Sequence, residues 1–223
     1  MRPTPDAYIP PLRFHFLTRF YDAVVRWTTR EAVFKEALLA QVGSALGERL
    51  LDVGCGTGTL SVALAHRFPG ARVVGLDADG AALAIARAKA VGAHVRLELE
   101  KAFADRMPFP SGFFDAAVSS LFFHHLRRDM KHAVLAEIFR VLRPGGSLHV
   151  ADWGRPANFA LRAAFLLVQA LDGWETTRDS VAGVLPEMMS QAGFIGVHHA
   201  QDFATPLGTM ALYSAVKPEL GKT

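Results

Sequence analysis

Short apolar runs alternate with segments of helical periodicity through the middle of the chain. Residues 50–53 are largely apolar, which is typical of a strand buried on both faces, and the apolar positions of 60–68 recur at helical spacing. Further strands are predicted at 72–77, 95–99, 114–120 and 147–152, and further helices at 81–90 and 129–142. This alternation predicts an α/β fold with a doubly wound, mostly parallel sheet and helices on both faces.

Additional helices are predicted at both ends of this alternating region. Apolar positions recur at helical spacing from 14 to 25, and Thr28 with Glu31 matches a capping box for a helix at 29–42. After the fifth strand, an unusually apolar helix is predicted at 158–171. A short helix at 186–193 follows, with strands near 195–201 and 210–216.

Composition narrows the class of protein. Of the 223 residues, 51% are hydrophobic and 20% charged, which supports a large core in a single domain spanning 1–223. The net charge of +3 comes from dispersed residues, so we expect no nucleic-acid partner. The one cysteine excludes an internal disulfide and fits a reducing compartment. No apolar run reaches the roughly 18 residues of a membrane span, so we expect no transmembrane segment and a cytoplasmic location.

The loop after the first strand carries three glycines, at Gly54, Gly56 and Gly58. Glycines let a backbone turn sharply and approach a ligand closely. The NAD fingerprint is G-x-G-x-x-G, whereas here the spacing is G-x-G-x-G and Thr59 holds the third glycine's place. Asp52, directly before the loop, would repel a pyrophosphate but would favour a cationic ligand. These features favour S-adenosylmethionine (SAM), which carries an ammonium and a sulfonium and has no phosphate.

The second strand ends in a carboxylate at Asp77. Its position about 20 residues past the glycine loop is the spacing expected for recognition of a ribose diol. Because SAM contains adenosine, this acid fits the same ligand as the loop.

Four motifs together resemble the class I SAM-dependent methyltransferases, in particular the ubiquinone/menaquinone-biosynthesis-like (type 11) branch. The motifs are LLDVGCGTGT at 50–59, VVGLDAD at 73–79, MPFPSGFFDAAVSS at 107–120 and RVLRPGG at 140–146. The resemblance implies a Rossmann-like fold with a closing antiparallel hairpin. It also implies an enzyme that converts SAM to S-adenosylhomocysteine while methylating a small molecule. N-terminal helices within 1–45 are then expected to form a lid over the cofactor.

The resemblance implies a set of cofactor-binding residues. They are Tyr21, Asp52, Gly54, Cys55, Gly56, Gly58, Asp77, Ala78, Phe103, Ala104 and Ser120. Tyr21 would face the sulfonium through a cation–π contact, with a core position as the alternative. Phe103 stands where relatives usually carry an acid near the adenine amine. It could pack on the adenine while the backbone of Ala104 reads a ring nitrogen, or Asp105 could replace the acid in a shifted loop.

Two adjacent histidines, His124 and His125, follow the fourth strand. Histidine suits proton transfer near neutral pH, so both are candidate catalytic residues. The alternative is that one imidazole caps the helix at 129–142 or braces the loop. We expect no metal site, because adjacent side chains should diverge and no further ligand set is evident.

The segment 153–192 is interpreted as a substrate cap. Phe159, Phe165, Leu166 and Trp174 would expose more apolar surface than a soluble monomer normally tolerates. The segment leaves the fifth strand at the edge where open α/β sheets bind ligands. We therefore expect it to wall a pocket for a small, hydrophobic or amphipathic acceptor. A homodimer interface and a peripheral membrane contact are alternative uses of the same surface.

The main prediction is therefore methyl transfer from SAM to such an acceptor. Two alternatives stay open: a nicotinamide-dependent oxidoreductase, which the glycine spacing and Asp52 disfavour, and a SAM-binding protein without turnover.

Overall fold

The computed structural model describes residues 31–43 and 48–219. Within these ranges the chain forms seven strands, seven α-helices and one short 3₁₀-helix. In chain order, these are α1 (Glu31–Gly43), β1 (Arg49–Val53), α2 (Thr59–Arg67), β2 (Arg72–Asp77), α3 (Gly80–Gly92), β3 (Glu98–Lys101), β4 (Phe114–Ser120), the 3₁₀-helix (Phe123–His125), α4 (Arg128–Val141), β5 (Leu142–Trp153), α5 (Phe159–Asp172), α6 (Trp174–Ala182), α7 (Leu185–Gln191), β6 (Ile195–Thr205) and β7 (Gly208–Val216).

The strands form one sheet in the order β3-β2-β1-β4-β5-β7-β6. Strands β1 to β5 pair in parallel, and β7 pairs antiparallel with both β5 and β6. The predicted doubly wound sheet and its antiparallel hairpin are therefore confirmed. The order reverses beside β1, so the loops after β1 and β4 meet at the edge where such sheets bind ligands.

Alternate residues of β1 supply the two cores. Leu51 and Val53 pack into the core that includes α4 and α7, whereas Leu50 packs into the core that includes α1, α2 and α5. All three side chains are fully buried, as predicted for a strand covered on both faces.

Helix α1, the described part of the predicted lid, packs against one face of the sheet. Phe34 and Leu38 are fully buried, and the Gln41 side-chain amide donates to the carbonyl oxygen of Tyr213 at 3.0 Å. The rest of the predicted lid, with Tyr21 and Thr28, lies outside the described residues. Among the described helices, none is long and apolar enough to cross a membrane.

Two helices, α3 and α5, begin with a side-chain N-cap. The Asp79 side chain accepts a hydrogen bond from the Ala81 N–H at 2.8 Å, and the Asn158 side chain accepts one from the Leu161 N–H at 2.9 Å. These bonds satisfy N–H groups that a helix start would otherwise leave unpaired.

The structure differs from the predicted elements at three places. Strand β3 is Glu98–Lys101 rather than 95–99, because pairing with β2 begins only at Glu98. Residues 143–146, which precede the predicted strand at 147–152, form a bulge within β5, since β4 pairs with Leu142 and then with Ser147. Helix α6 was not predicted: its polar sequence has little apolar periodicity, and its buried Asp179 is held by ion pairs instead.

Candidate active site

The glycine loop combines left-handed backbone with close packing. Gly54, Gly56 and Gly58 have φ of +70°, +52° and +75°, conformations that favour glycine. A Cβ at Gly54 would lie 2.2 Å from the Phe122 ring, and one at Gly58 would lie 2.6 Å from Cβ of Ala86. A Cβ at Gly56 would meet nothing within 4 Å. Gly56 is therefore where the loop is open to a ligand.

Asp77 joins the loop to the start of α3. One carboxylate oxygen accepts from the Gly56 N–H and the other from the Asp79 N–H, both at 2.8 Å. Burial raises the pKa of Asp77, although these backbone hydrogen bonds oppose the shift. Each carboxylate oxygen has two lone pairs, so both can accept a further hydrogen bond. The carboxylate and the open space at Gly56 thus fit a diol-bearing ligand such as the adenosine of SAM.

Asp52 supports the loop from inside the fold. Its carboxylate is 1% exposed and accepts a 2.5 Å hydrogen bond from the Ser61 hydroxyl in α2. Burial raises the pKa of Asp52 to about 6, against the effect of the Ser61 hydrogen bond. Asp52 was predicted to attract a cationic ligand. In the structure its carboxylate is already hydrogen-bonded to α2, the helix that follows the glycine loop.

Cys55 points toward β2. A Cβ on Gly75 would lie 3.0 Å from the Cys55 sulfur, and the loop's backbone is tied to the same strand by the Cys55 N–H, which donates to Leu76 at 3.0 Å. Burial raises the pKa of the Cys55 thiol, and the charges of Asp52 and Asp77 add to this shift. A thiol with a raised pKa is a poor nucleophile, as expected for a residue placed by backbone need.

Lys89 is a part of the site that sequence reasoning missed. From α3 its ammonium donates to the hydroxyls of Thr57 at 2.9 Å and Thr59 at 2.8 Å. These contacts tie the loop and the start of α2 to the neighbouring helix. The sequence places Thr57 and Thr59 on either side of Gly58, but it does not indicate that Lys89, some 30 residues away, contacts them.

The loop after β3 carries an unpaired carboxylate oxygen. Phe103 is 45% exposed, with the Arg106 guanidinium 5.7 Å from its ring centroid, and Ala104 is partly buried. Oδ1 of Asp105 is buried without a hydrogen-bond partner among residues 31–43 and 48–219, and so is the Ser120 hydroxyl at the end of β4. Unpaired buried polar atoms are rare in folded proteins, so both suit contact with a ligand.

The turn after β4 is organised by Asp152, at the end of β5. Its carboxylate accepts from the backbone N–H groups of Phe122 at 3.1 Å, Phe123 at 2.7 Å and Trp153 at 2.7 Å. It also pairs with Nδ1 of His124 at 2.6 Å. Sequence reasoning placed Asp152 at the strand end and gave it no role, although an acid at the carboxyl end of a parallel strand is a signal for one.

The two histidines lie in contrasting electrostatic surroundings. Burial alone would lower the pKa of His124, but the Asp152 charge and hydrogen bond raise it above its ordinary value. Burial, reinforced by the charge of His124, holds the pKa of His125 well below its ordinary value. Asp152 is 1% exposed, yet its contacts with His124 lower its pKa against the effect of burial. Asp152 therefore favours the protonated form of His124, whereas burial favours the neutral form of His125.

His124 and His125 converge, so the expectation that their side chains diverge is wrong. Their ring centroids are 3.9 Å apart, and both residues belong to the 3₁₀-helix. Nε2 of His124 lies 3.7 Å from Oδ2 of Asp172, at the end of α5. One donor atom from each of the three residues lies within 4.8 Å of the others. Sequence reasoning missed Asp172.

Helices α5 and α6 border an open cleft of about 460 Å³. It is lined by Arg162, Gln169, Trp174, Glu175, Arg178 and Val181. Nη1 of Arg162 and Oε1 of Gln169 are buried without a hydrogen-bond partner in the described part of the chain. The cleft thus has polar groups as well as an aromatic ring.

Of the four apolar residues predicted to be exposed in the substrate cap, three are exposed and one is buried. Phe159, Leu166 and Trp174 are 87%, 44% and 59% exposed, as the prediction requires. Phe165 is 1% exposed and packs edge-on against Trp153, with ring centroids 5.4 Å apart. Phe165 is therefore a core residue, and its place in the exposed patch was predicted wrongly.

Comparisons with known proteins agree with this geometry. A family described as "Methyltransferase domain" matches residues 50–146. A ubiquinone/menaquinone biosynthesis C-methyltransferase, UbiE, of Chromobacterium violaceum is 35% identical over 92% of this chain and 90% of its own length. A demethylmenaquinone methyltransferase of Thermus thermophilus is 42% identical over 51% of this chain, a match that spans half the length of that relative.

Solved structures share the fold. The SAM-dependent methyltransferase SibL in its apo form superposes with a TM-score of 0.70, at 24% identity, covering 96% of this chain and 61% of that chain. A SAM-dependent methyltransferase from Methanosarcina mazei gives a TM-score of 0.64 at 21% identity, covering 80% of this chain and 97% of its own.

Proposed function

Because the chain belongs to the class I SAM-dependent methyltransferases, we propose that it transfers a methyl group from SAM to a small hydrophobic or amphipathic acceptor. The observation that carries the proposal is the pairing of Asp77 with Gly56, at 2.8 Å, beside the open face of the glycine loop. The histidine turn follows β4, and the helices α5 and α6 that border the cleft follow β5.

The cofactor would be held by three groups of residues. Asp77 would accept hydrogen bonds from the ribose diol, next to the backbone of Ala78. The unpaired oxygen of Asp105 would accept the adenine amine in place of the acid that Phe103 replaces, with the Phe103 ring against the adenine. Ser120 would offer its unpaired hydroxyl from the end of β4. When bound, SAM supplies an electrophilic methyl group.

The glycine loop itself supplies shape and charge. Gly54, Gly56 and Gly58 let the backbone approach the cofactor, and Cys55 contributes its backbone while its thiol stays turned toward β2. The buried charge of Asp52 favours a cationic ligand over a phosphate, which supports SAM over a nicotinamide cofactor. Tyr21, expected over the sulfonium, lies outside the described residues.

The acceptor would lie between the histidine turn and the α5–α6 cleft. The names of the relatives, demethylmenaquinone methyltransferase and ubiquinone/menaquinone biosynthesis C-methyltransferase, support a hydroxylated, quinone-derived ring methylated at carbon. Exposed Trp174 and Leu166 would contact its apolar parts, and Gln169 and Arg162 would meet its oxygens. In-line displacement requires the nucleophile, methyl and sulfur to be held collinear in a dry pocket, so positioning is the chain's main contribution.

The test combines cofactor binding with product detection. We expect SAM and S-adenosylhomocysteine, but not NAD or NADP, to raise the melting temperature. With methyl-labelled SAM, we expect label in a reduced demethylated naphthoquinone and not in amine or thiol acceptors. SAM binding without label in any acceptor would support the non-catalytic alternative, and stabilisation by NAD alone would support the oxidoreductase.

A further inference from the structure

We propose that His124, His125 and Asp172 form a binding site for a divalent transition-metal ion of the Zn²⁺ type, with Asp152 orienting one of the histidines. Methyl transfer itself requires no metal, so the site goes beyond the proposed function. Only the catalytic role given to the ion below rests on that function.

The three residues bring one donor atom each into the same small region, and one pair is spaced as two ligands of one ion would be. The donor atoms of the three residues lie within 4.8 Å of one another. Nε2 of His124 and Oδ2 of Asp172 are 3.7 Å apart, which is too long for a hydrogen bond. Two ligands at about 2.0–2.2 Å from a tetrahedral Zn²⁺ lie about 3.3–3.6 Å from each other. The observed separation is close to that range and leaves room for an ion rather than a shared proton.

Asp152 holds His124 in the orientation that a metal ligand needs. Nδ1 of His124 pairs with the Asp152 carboxylate at 2.6 Å, which turns Nε2 toward Asp172. A carboxylate that orients a histidine in this way is the usual outer partner of a metal-bound imidazole. Asp152 is itself fixed by backbone N–H groups of the turn, including that of Phe123 at 2.7 Å. The site is therefore rigid before any ion binds.

The charges in the cluster leave Asp172 without a partner at close range. Its carboxylate has no hydrogen-bond donor among residues 31–43 and 48–219, and its ion pair with His124 spans 3.7 Å. The nearby Lys131 ammonium is engaged elsewhere, by Asp179 at 3.0 Å and the Thr176 carbonyl at 2.7 Å. An ion bound to Asp172 would compensate its partly buried charge.

Three protein ligands leave a fourth position for water or substrate, as in catalytic zinc sites. Asp172 lies between Gln169 and Trp174, both of which line the α5–α6 cleft, and its side chain is 21% exposed. An acceptor bound in this neighbouring cleft would then reach the open position. There the ion would bind an acceptor hydroxyl, whose proton would pass to solvent to leave an oxyanion.

The oxyanion makes the acceptor nucleophilic. The acceptor–methyl bond forms as the methyl–sulfur bond breaks, and the electron pair of that bond remains on sulfur. The negative charge of the oxyanion and the positive charge of the sulfonium cancel, and in methylation at carbon the ring carbon then releases its proton. The acceptor class is therefore a hydroxylated ring whose oxygen the metal ion polarises.

The test measures metal binding directly on chelator-treated full-length protein. Zn²⁺ is titrated by calorimetry, and Co²⁺ by the visible absorption that four-coordinate Co²⁺ gives. We expect one ion per chain in the wild type and at least a 10-fold loss of affinity in His125→Gln and in Asp172→Asn. The control is His199→Gln, which removes an exposed histidine paired with Asp202 at 2.7 Å and should bind metal like the wild type.

SAM affinity, measured on the same proteins, separates this proposal from the proposed function. Normal SAM binding with no metal site in the wild type would overturn the metal site alone. Equal metal affinity in His125→Gln, Asp172→Asn and wild type would also overturn it. Metal binding without SAM binding would overturn the proposed function and leave the metal site standing.

Discussion

The Asp77 carboxylate accepts the N–H of Gly56 at 2.8 Å, across the space where the glycine loop is open. The acid at the end of β2 therefore fixes the one loop glycine that no side chain covers. Asp77 therefore holds the loop in place before a ligand binds. Each of its carboxylate oxygens has a second lone pair that can accept a hydrogen bond from the ligand.

Asp77→Ala should weaken SAM binding roughly 10- to 150-fold, because it removes charge-assisted hydrogen bonds worth about 1.5–3 kcal/mol. Calorimetry with SAM measures the change. Glu98→Gln is the control, since Glu98 is an exposed acid on the next strand that pairs with Arg72 at 2.7 Å. Unchanged SAM affinity in Asp77→Ala would contradict the ribose assignment.

Gly56→Ala and Gly196→Ala should lower the free energy of unfolding by similar amounts, but only Gly56→Ala should impair SAM binding. Both glycines have left-handed φ, +52° and +58°, and a Cβ at either meets nothing within 4 Å. Each substitution should lower the free energy of unfolding by about 1–2 kcal/mol, the cost of left-handed backbone for a non-glycine residue. Urea unfolding checks this, and calorimetry should find SAM binding lost only in Gly56→Ala. Equal SAM affinity in the two variants would show that the ligand does not approach Gly56.

Asp52→Asn should change how stability depends on pH. Burial raises the pKa of Asp52 to about 6 in the folded state, so the folded protein binds more protons than the unfolded chain between about pH 4 and pH 6. The wild type therefore loses stability as pH rises through this window, by about 3 kcal/mol for a shift of about two pKa units. The variant should lack this loss.

Urea unfolding of wild type and Asp52→Asn at pH 4.5 and pH 7.5 measures the difference. The stability of the variant relative to wild type should increase at the higher pH, while its SAM affinity should fall because the negative charge is gone. A stability difference independent of pH would mean that Asp52 ionises normally in the folded protein.

Phe165→Ala should destabilise the protein by about 3–5 kcal/mol, the range for a large side chain removed from a core. Its ring is 1% exposed and packs on Trp153. The neighbouring Leu166, 44% exposed, is the matched control, and Leu166→Ala should change the free energy of unfolding by less than about 0.5 kcal/mol. Denaturant unfolding compares them, and equal effects would contradict the placement of the two side chains.

Local chemistry predicted much of this structure. The glycine spacing and Asp77 at the end of β2 each depend on residues within a few positions or on regular strand and helix lengths. Such features follow from backbone geometry, so sequence patterns report them well.

The contacts that build the histidine turn could not be predicted in the same way. His124 meets Asp152 and Asp172 only because β4, β5 and α5 bring together positions far apart in the chain. The burial of Phe165 next to the exposed Leu166 likewise depends on which face of α5 meets Trp153. These outcomes are set by tertiary packing, which the periodicity of one segment does not contain.

The position of β7 between β5 and β6 has a consequence for synthesis of the protein. The ribosome releases β5 and then β6, but β6 is joined to the sheet only through β7. The edge of β5 therefore stays unpaired until residues 208–216 have been made, and an unpaired edge strand is a template for aggregation. A nascent chain halted within β6 would need a chaperone to cover that edge, even though every residue of the glycine loop had already been translated.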